Sequence, residues 1–380
     1  MTTRAFRVGT VTIGGGAPVV LQSMCATKTS DVAATAETAE RLTAAGAGLV
    51  RVAVDTPDDA RALAEIRQRT SANLSVDLQE NFRLAEKVAP FVDKIRYNPG
   101  HLHHLEPERN WREKVRYLAE VASDNDCALR IGINCGSLDP TKRLLSGRRK
   151  DDGGKEFDSL LSGAIEHADY LDSLGFTRFC VSVKDSDPIT VIAANRRFHQ
   201  LCPNVPLHLG VTEAGLPPVG VSKSRWALEQ LLAEGIGDTL RVSLTVENEN
   251  KAEEIEAGRL ILSNVAAGIV FDPAQTPLPK LNIVSCPSCA RVENSRFVAL
   301  ARGVQKATEF ASDYPIKIAV MGCRVNGPGE TDDADLGLWC GASQVNLKEG
   351  TKTLGSWPYE KILDILVEIL HNKIKGGFQH

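Results

Sequence analysis

The sequence predicts an α/β protein, a closed barrel of eight β/α units followed by a small α/β domain. Three observations predict it. Eight short apolar or β-branched runs recur between residues 18 and 245, most of them separated by longer stretches with helical spacing. Inside the runs, polar and apolar side chains alternate. A Pro-rich stretch near 272–279 then precedes a second, smaller set of strand and helix patterns. These place a barrel at 1–265, a connector at 266–280 and a second domain at 281–380. An open doubly wound sheet is the alternative topology for the same alternation.

The first two runs, PVVLQSM (18–24) and GLVRVAV (48–54), flank the helix-like ATAETAERLTAAG. DDARALAEIRQRT leads to NLSVDL (73–78), and KIRYN (94–98) follows closely. WREKVRYLAEVAS precedes ALRIGIN (128–134). RFCVSVK (178–184), PLHLGVT (206–212) and TLRVSLT (239–245) complete the set, with SRWALEQLLAEG between the last two. In the second domain, LNIVSCPSC and IKIAVMGC read as strands. ENSRFVALARGVQKATEFA and YEKILDILVEIL read as helices. VMGCRVNGPGE (320–330) is rich in Gly, Asn and Pro and reads as a loop, as does the charged excursion SGRRKDDGGKEF (146–157).

The 380 residues are 43% hydrophobic and 24% charged, which is ample for a core. A net charge of -4 argues against nucleic acid or an anionic membrane as the main partner. The N-terminal MTTRAFRVGTVTIGGG has no apolar signal segment, and no later run is long enough to span a bilayer. A cytoplasmic protein is expected. The nine cysteines are odd in number and mostly scattered, which is no disulfide framework.

Parallel strands covered on both faces usually read as continuous apolar runs. These do not. Leu129, Ile131 and Ile133 share one face while Arg130, Gly132 and Asn134 share the other, and the split recurs from strand to strand. In a barrel the apolar face meets the helices, so the polar face lines the lumen. Arg51, Arg96, Arg130, Lys184 and Arg241 then converge there, with Asp77 and Glu213 as partial counter-charges. A buried surplus of positive charge calls for an anion, and the fork of arginine suits phosphate. His208 fits either a hydrogen-bonded core position or a ligand contact.

Cys286 and Cys289 form CPSC, a spacing that lets two sulfurs meet one metal or cluster, and Cys323 ends the neighbouring strand. A zinc site with Cys340 as fourth ligand, a redox CxxC pair and an iron-sulfur cluster are all open on spacing alone. Glu330 could supply an oxygen ligand to the last of these.

These motifs together, QSM, KIRYNPG, RIGINCGSL, VSVKDSD, PLHLGVTEAG, GIGDTLRVSLT, CPSC and GCRVNGPGE, in this order, closely resemble the 4-hydroxy-3-methylbut-2-en-1-yl diphosphate synthases of the methylerythritol phosphate route to isoprenoids. The resemblance implies a TIM barrel that grips a cyclic diphosphate and a small domain holding a [4Fe-4S] cluster on Cys286, Cys289, Cys323 and Glu330. It implies diphosphate contacts at Arg51, Arg96, Arg130, Asn134, Lys184, Arg241 and Ser243, with Asp77, His208 and Glu213 nearby and Glu213 delivering a proton. Flavodoxin or ferredoxin is implied as electron donor. A homodimer is implied too, in which one chain's cluster domain covers the barrel mouth of its partner. The chain departs from the family pattern at Gln79, where His is usual, at Cys25, where Thr is frequent, and at Cys340, where no thiol is expected. Gly220, Lys223 and Ser224 keep only part of a further motif.

Overall fold

The structure is a computed structural model that describes residues 2–134, 155–323 and 327–376, with backbone alone at 155–160. The charged excursion expected at 146–157 lies outside the described residues up to 154, and its end is already in the helix Lys155–Ser173.

An antiparallel hairpin, β1 (Phe6–Val8) and β2 (Val11–Ile13), opens the chain. Eight parallel strands follow: β3 (Val20–Met24), β4 (Leu49–Val54), β5 (Leu74–Leu78), β6 (Lys94–Tyr97), β7 (Ala128–Asn134), β8 (Phe179–Lys184), β9 (His208–Leu209) and β10 (Thr239–Leu240). Their order is β8-β7-β6-β5-β4-β3-β10-β9, and a parallel bridge from Val181 to Leu207 joins the two ends. The sheet therefore closes into the expected barrel. β9 and β10 are shorter than the seven-residue runs that mark them, because the backbone leaves the ladder where Gly210 and Arg241 begin the mouth.

Helix starts are written locally. Thr56 accepts from the Asp59 backbone N–H while the Asp59 carboxylate answers the Thr56 N–H, a reciprocal cap ahead of Pro57–Arg69. Asp187 caps Pro188–Leu201 by accepting from the Ile189 and Thr190 backbone N–H groups, with Pro at the first helical position. The outward faces of the strands bury Val50, Val52, Leu129, Ile131, Val181 and Leu209 against these helices. The hairpin seals the other end, where Phe6, Val8 and Ile13 pack on Val20, Leu49, Ala128 and Cys180. Packed underneath, the lumen opens at the C-terminal ends of the strands.

The second domain is a five-stranded sheet, β11 (Asn282–Ser285), β12 (Lys317–Met321), β13 (Leu336–Cys340), β14 (Gln344–Glu349) and β15 (Lys352–Pro358), in that order. Its first three strands are parallel and its last two antiparallel. The helices Phe297–Ala307 and Ile362–Lys375 supply Phe297, Val304, Ile362 and Leu366 to its core. The Gly- and Pro-rich stretch expected as a loop turns helical at Gly327–Asp332. Proline is tolerated in a first turn, where its missing N–H has no helical partner to lose.

Candidate active site at the barrel mouth

Strand register lines the lumen. Asp77 pairs with Arg96 across β5 and β6, and Arg96 with Arg130 across β6 and β7. One cavity at the mouth is lined by all five predicted cations, by Asp77, Asn134, Glu213 and Ser243, and by Cys286, Cys289 and Cys323 of the second domain. The alternation in the strands thus brings to one wall most of the residues it singled out. His208 is the exception. It is fully buried one pleat deeper on β9, its Nδ1 facing Thr239 Oγ1 at 3.3 Å, and it does not line the cavity.

The cations are unequally matched. Arg96 donates to Asp77 at 2.7 Å, to Gln79 at 3.0 Å and to the Gly132 carbonyl at 3.0 Å. Arg241 is held by both oxygens of Glu254 at 3.1 Å. Among the described residues, Arg51 donates only to the Met24 thioether, at 2.9 and 3.1 Å, a weak acceptor. Arg130 is buried, and its Nε and Nη1 make no hydrogen bond among the described residues. Burial and then its cationic neighbours pull Arg130 down to about 10 and hold Lys184 well below the ordinary lysine value. Glycine makes the room: a Cβ at Gly210 would sit 2.6 Å from Lys184 Nζ, and one at Gly132 would collide with the Arg96 guanidinium.

The second domain closes over this lumen in the same chain. Ser285 N–H donates to the Glu213 carbonyl at 3.2 Å, and Thr245 Oγ1 lies 2.6 Å from Ser285 Oγ. Lys251 donates to the Pro287 carbonyl. Within this single chain, the domain that covers the mouth is the chain's own. Two residues at the seam, Glu213 at φ 50° and Ser288 at φ 62°, hold left-handed backbone that non-glycine residues seldom adopt.

Burial, then Cys323, Cys289 and Glu213, push the Cys286 thiol well above its usual value. A bound cationic centre would offset the repulsion among thiolates there. Glu330 does not line the cavity but hydrogen-bonds the Glu213 side chain; burial raises its value against that bond. None of the eight described cysteines forms a disulfide. Cys340 is buried in the second core and pushed up to about 12, and Cys25 is buried in the barrel, so neither joins the three.

Sequence reasoning missed Arg291 and Glu254. Arg291 stands two residues beyond the second CPSC sulfur and lines the cavity, a position that would have singled it out. Glu254 carries no such signal. Gln79 passes its Nε2 to His101 Nδ1 at 2.9 Å while Arg96 fixes its oxygen. His101 is thereby left with the proton on Nε2, so the nearby Glu80, His101 and His104 trio offers no three free donors to a metal.

Residues 3–259 match the GcpE TIM-barrel domain and residues 282–372 the GcpE protein C-terminal domain. The chain belongs to the GcpE family. A GcpE relative from Rhodopirellula baltica, named 4-hydroxy-3-methylbut-2-en-1-yl diphosphate synthase (flavodoxin), is 57% identical over 98% of this chain and 96% of its own. One of the same name from Nitratiruptor sp. is 37% identical over 95% of each chain. Among solved structures, Burkholderia cenocepacia dihydropteroate synthase shares 15% identity at TM-score 0.50 over 70% of this chain and 99% of its own, a likeness of barrel fold alone. No helix among the described GcpE residues is long and apolar enough to cross a membrane.

Proposed function

We propose that the chain catalyses the reductive ring opening and dehydration of 2-C-methyl-D-erythritol 2,4-cyclodiphosphate to 4-hydroxy-3-methylbut-2-enyl diphosphate, a step of isoprenoid biosynthesis. One observation carries this reading: a lumen of cations and three cysteines open into a single cavity. Arg51, Arg96, Arg130, Lys184 and Arg241, with Asn134 and Ser243, hold the two phosphates. Asp77 aims Arg96 through its 2.7 Å contact. His208, being deeper, shapes the floor rather than touching the substrate.

Cys286, Cys289, Cys323 and Glu330 would hold a [4Fe-4S] cluster. The donor set fits, with thiolates for iron and a harder carboxylate that leaves one position exchangeable. When bound, the cluster supplies two electrons, one at a time, together with Lewis acidity. A ring C–O bond breaks, and one hydroxyl takes a proton and leaves as water. Glu213 and Glu330 keep a proton between their carboxyl oxygens beside the cavity, which suits Glu213 to deliver it. The covering domain excludes bulk water from this exchange.

Flavodoxin or ferredoxin would bring the electrons, in the cytoplasm. A homodimer fits this geometry if two copies exchange their covering domains through the 266–280 connector, making between chains the contacts made here within one. The test is anaerobic purification followed by turnover with a one-electron donor. The expected protein is brown, with about four irons per chain. Glu330→Ala is expected to keep its thiolate-held iron and lose at least about tenfold in activity. Colourless protein with one zinc, or a fully active Glu330→Ala, overturns the reading.

A further inference from the structure

Arg291 makes more contacts across the domain seam than any role so far assigned requires. Its Nε and Nη2 grip both oxygens of Asp55 at 2.7 Å, the two-pronged geometry in which guanidinium–carboxylate pairs are strongest. Its Nη1 donates to Asp77 Oδ2 at 3.1 Å and its Nη2 to the Asp77 carbonyl at 3.2 Å. Asp77 gives its other oxygen to Arg96 at 2.7 Å, so one buried carboxylate joins an arginine from each domain. On either side of Arg291, Lys28 Nζ holds the carbonyls of Ala290 at 2.6 Å and Val292 at 3.0 Å. The loop that carries Cys286 and Cys289 is thereby fastened to the ends of β4 and β5, on the far side of the mouth from the Ser285 contacts.

Charge makes this fastening conditional. Arg291 lines the cavity together with the five barrel cations, so closing the loop adds a like charge to a positive site. Asp55 and Asp77 offset that repulsion, and an anion between the cations would offset it further. We propose that Arg291 is an ionic latch: it ties the cysteine-bearing loop to the barrel through Asp55 and Asp77, and anion occupancy of the cavity tightens the tie. The anion half rests on the proposed reading of the cavity. By linkage, whatever anion binding adds to closure, closure returns to anion affinity.

Asp55 separates a latch from a simple ligand contact, because it pairs with Arg291 without lining the cavity. The experiment follows hydrogen–deuterium exchange of residues 284–296 in the full-length protein, with and without inorganic diphosphate, for wild type, Arg291→Gln, Arg291→Lys and Asp55→Asn. Calorimetry of diphosphate and the kcat and KM of turnover accompany it. Wild type is expected to protect the loop more when diphosphate is bound. Arg291→Gln and Asp55→Asn are both expected to lose that added protection and about tenfold in diphosphate affinity. Turnover is expected to fall chiefly in kcat, by up to about a hundredfold for a loop displaced by an ångström. Arg291→Lys restores little, since an ammonium cannot span Asp55 and Asp77 with one fork. A loop as protected in Arg291→Gln as in wild type overturns the latch. So does weakened diphosphate binding in Arg291→Gln with Asp55→Asn unaffected, which makes Arg291 a ligand contact only. Loop protection that depends on both residues, in a wild type that binds no diphosphate, supports the tie and overturns the anion coupling together with the functional reading beneath it.

Discussion

Glu254 is the residue on which the positive lumen most visibly depends, and its replacement by glutamine tests that dependence. It lies wholly buried in the helix Ala252–Ala266 and accepts from Arg241 twice at 3.1 Å, Lys251 at 2.9 Å, Ser23 at 2.8 Å and the Leu244 N–H at 3.2 Å. Burial alone would raise its value, but the charges and hydrogen bonds of Arg241 and Lys251 outweigh burial and bring it from 4.5 down to about 2. A carboxylate lowered this far stabilises the fold by about 3 kcal/mol at neutral pH. Because the folded value is depressed, that stability is complete above pH 4.5 and drains away as pH falls towards 2.

Glu254→Gln keeps the shape and removes the charge, stranding Arg241 and Lys251 in the interior. The expected loss is about 3–5 kcal/mol at pH 7, read from urea unfolding of the barrel. One pH unit below 4.5 the wild type has given up about 1.4 kcal/mol of its advantage, so the gap between the two proteins narrows. A gap under about 1 kcal/mol at pH 7, or one that ignores acid, would refute the reasoning.

Two further substitutions probe the same charge surplus. Arg130→Met replaces a buried guanidinium whose Nε and Nη1 make no hydrogen bond among the described residues, so the ligand-free protein should gain about 1–4 kcal/mol in urea while diphosphate binding weakens at least about tenfold by calorimetry. Lys94 is lowered from 10.5 to about 7, chiefly by burial. Between those values the unfolded chain holds the extra proton, so wild-type stability should climb with pH across this window, by up to about 5 kcal/mol. Lys94→Met should flatten that slope in urea melts at pH 7, 8 and 9.

What the sequence discloses of the fold follows from how much chain each feature spans. β7 and β8 run for seven and six residues, long enough for two-residue periodicity to declare a lumen face. β1 and β2 have three residues each, too few to carry a period, and the hairpin that floors the barrel stayed hidden. β14 and β15 flank an antiparallel turn in a stretch where polar residues interrupt the apolar ones, so neither stood out as a strand. β9 and β10 mislead in the other direction. Their runs keep alternating after the ladder has ended, because the same polar face that lined the lumen goes on to form the mouth.

The candidate site was legible for a related reason. Parallel strands ordinarily bury apolar residues on both faces, and every arginine or lysine on the lumen face breaks that rule at a cost in stability. Among the described residues, Arg51, with a thioether for a partner, and Arg130, with two nitrogens that make no hydrogen bond, show that the cost is not recovered within the fold. A departure from packing logic that repeats on neighbouring strands therefore points outward, to a ligand that completes it. Glu254 and Arg291 escaped notice because they break no rule where they stand. One reads as an ordinary acidic residue in a helix's first turn, the other as a loop arginine. Their meaning lies in what they meet, and the Arg291–Asp55 pair spans 236 residues that only the closed fold brings together. Sequence thus exposes the residues that burden a fold, whereas those that relieve the burden become visible only once their partners are in place.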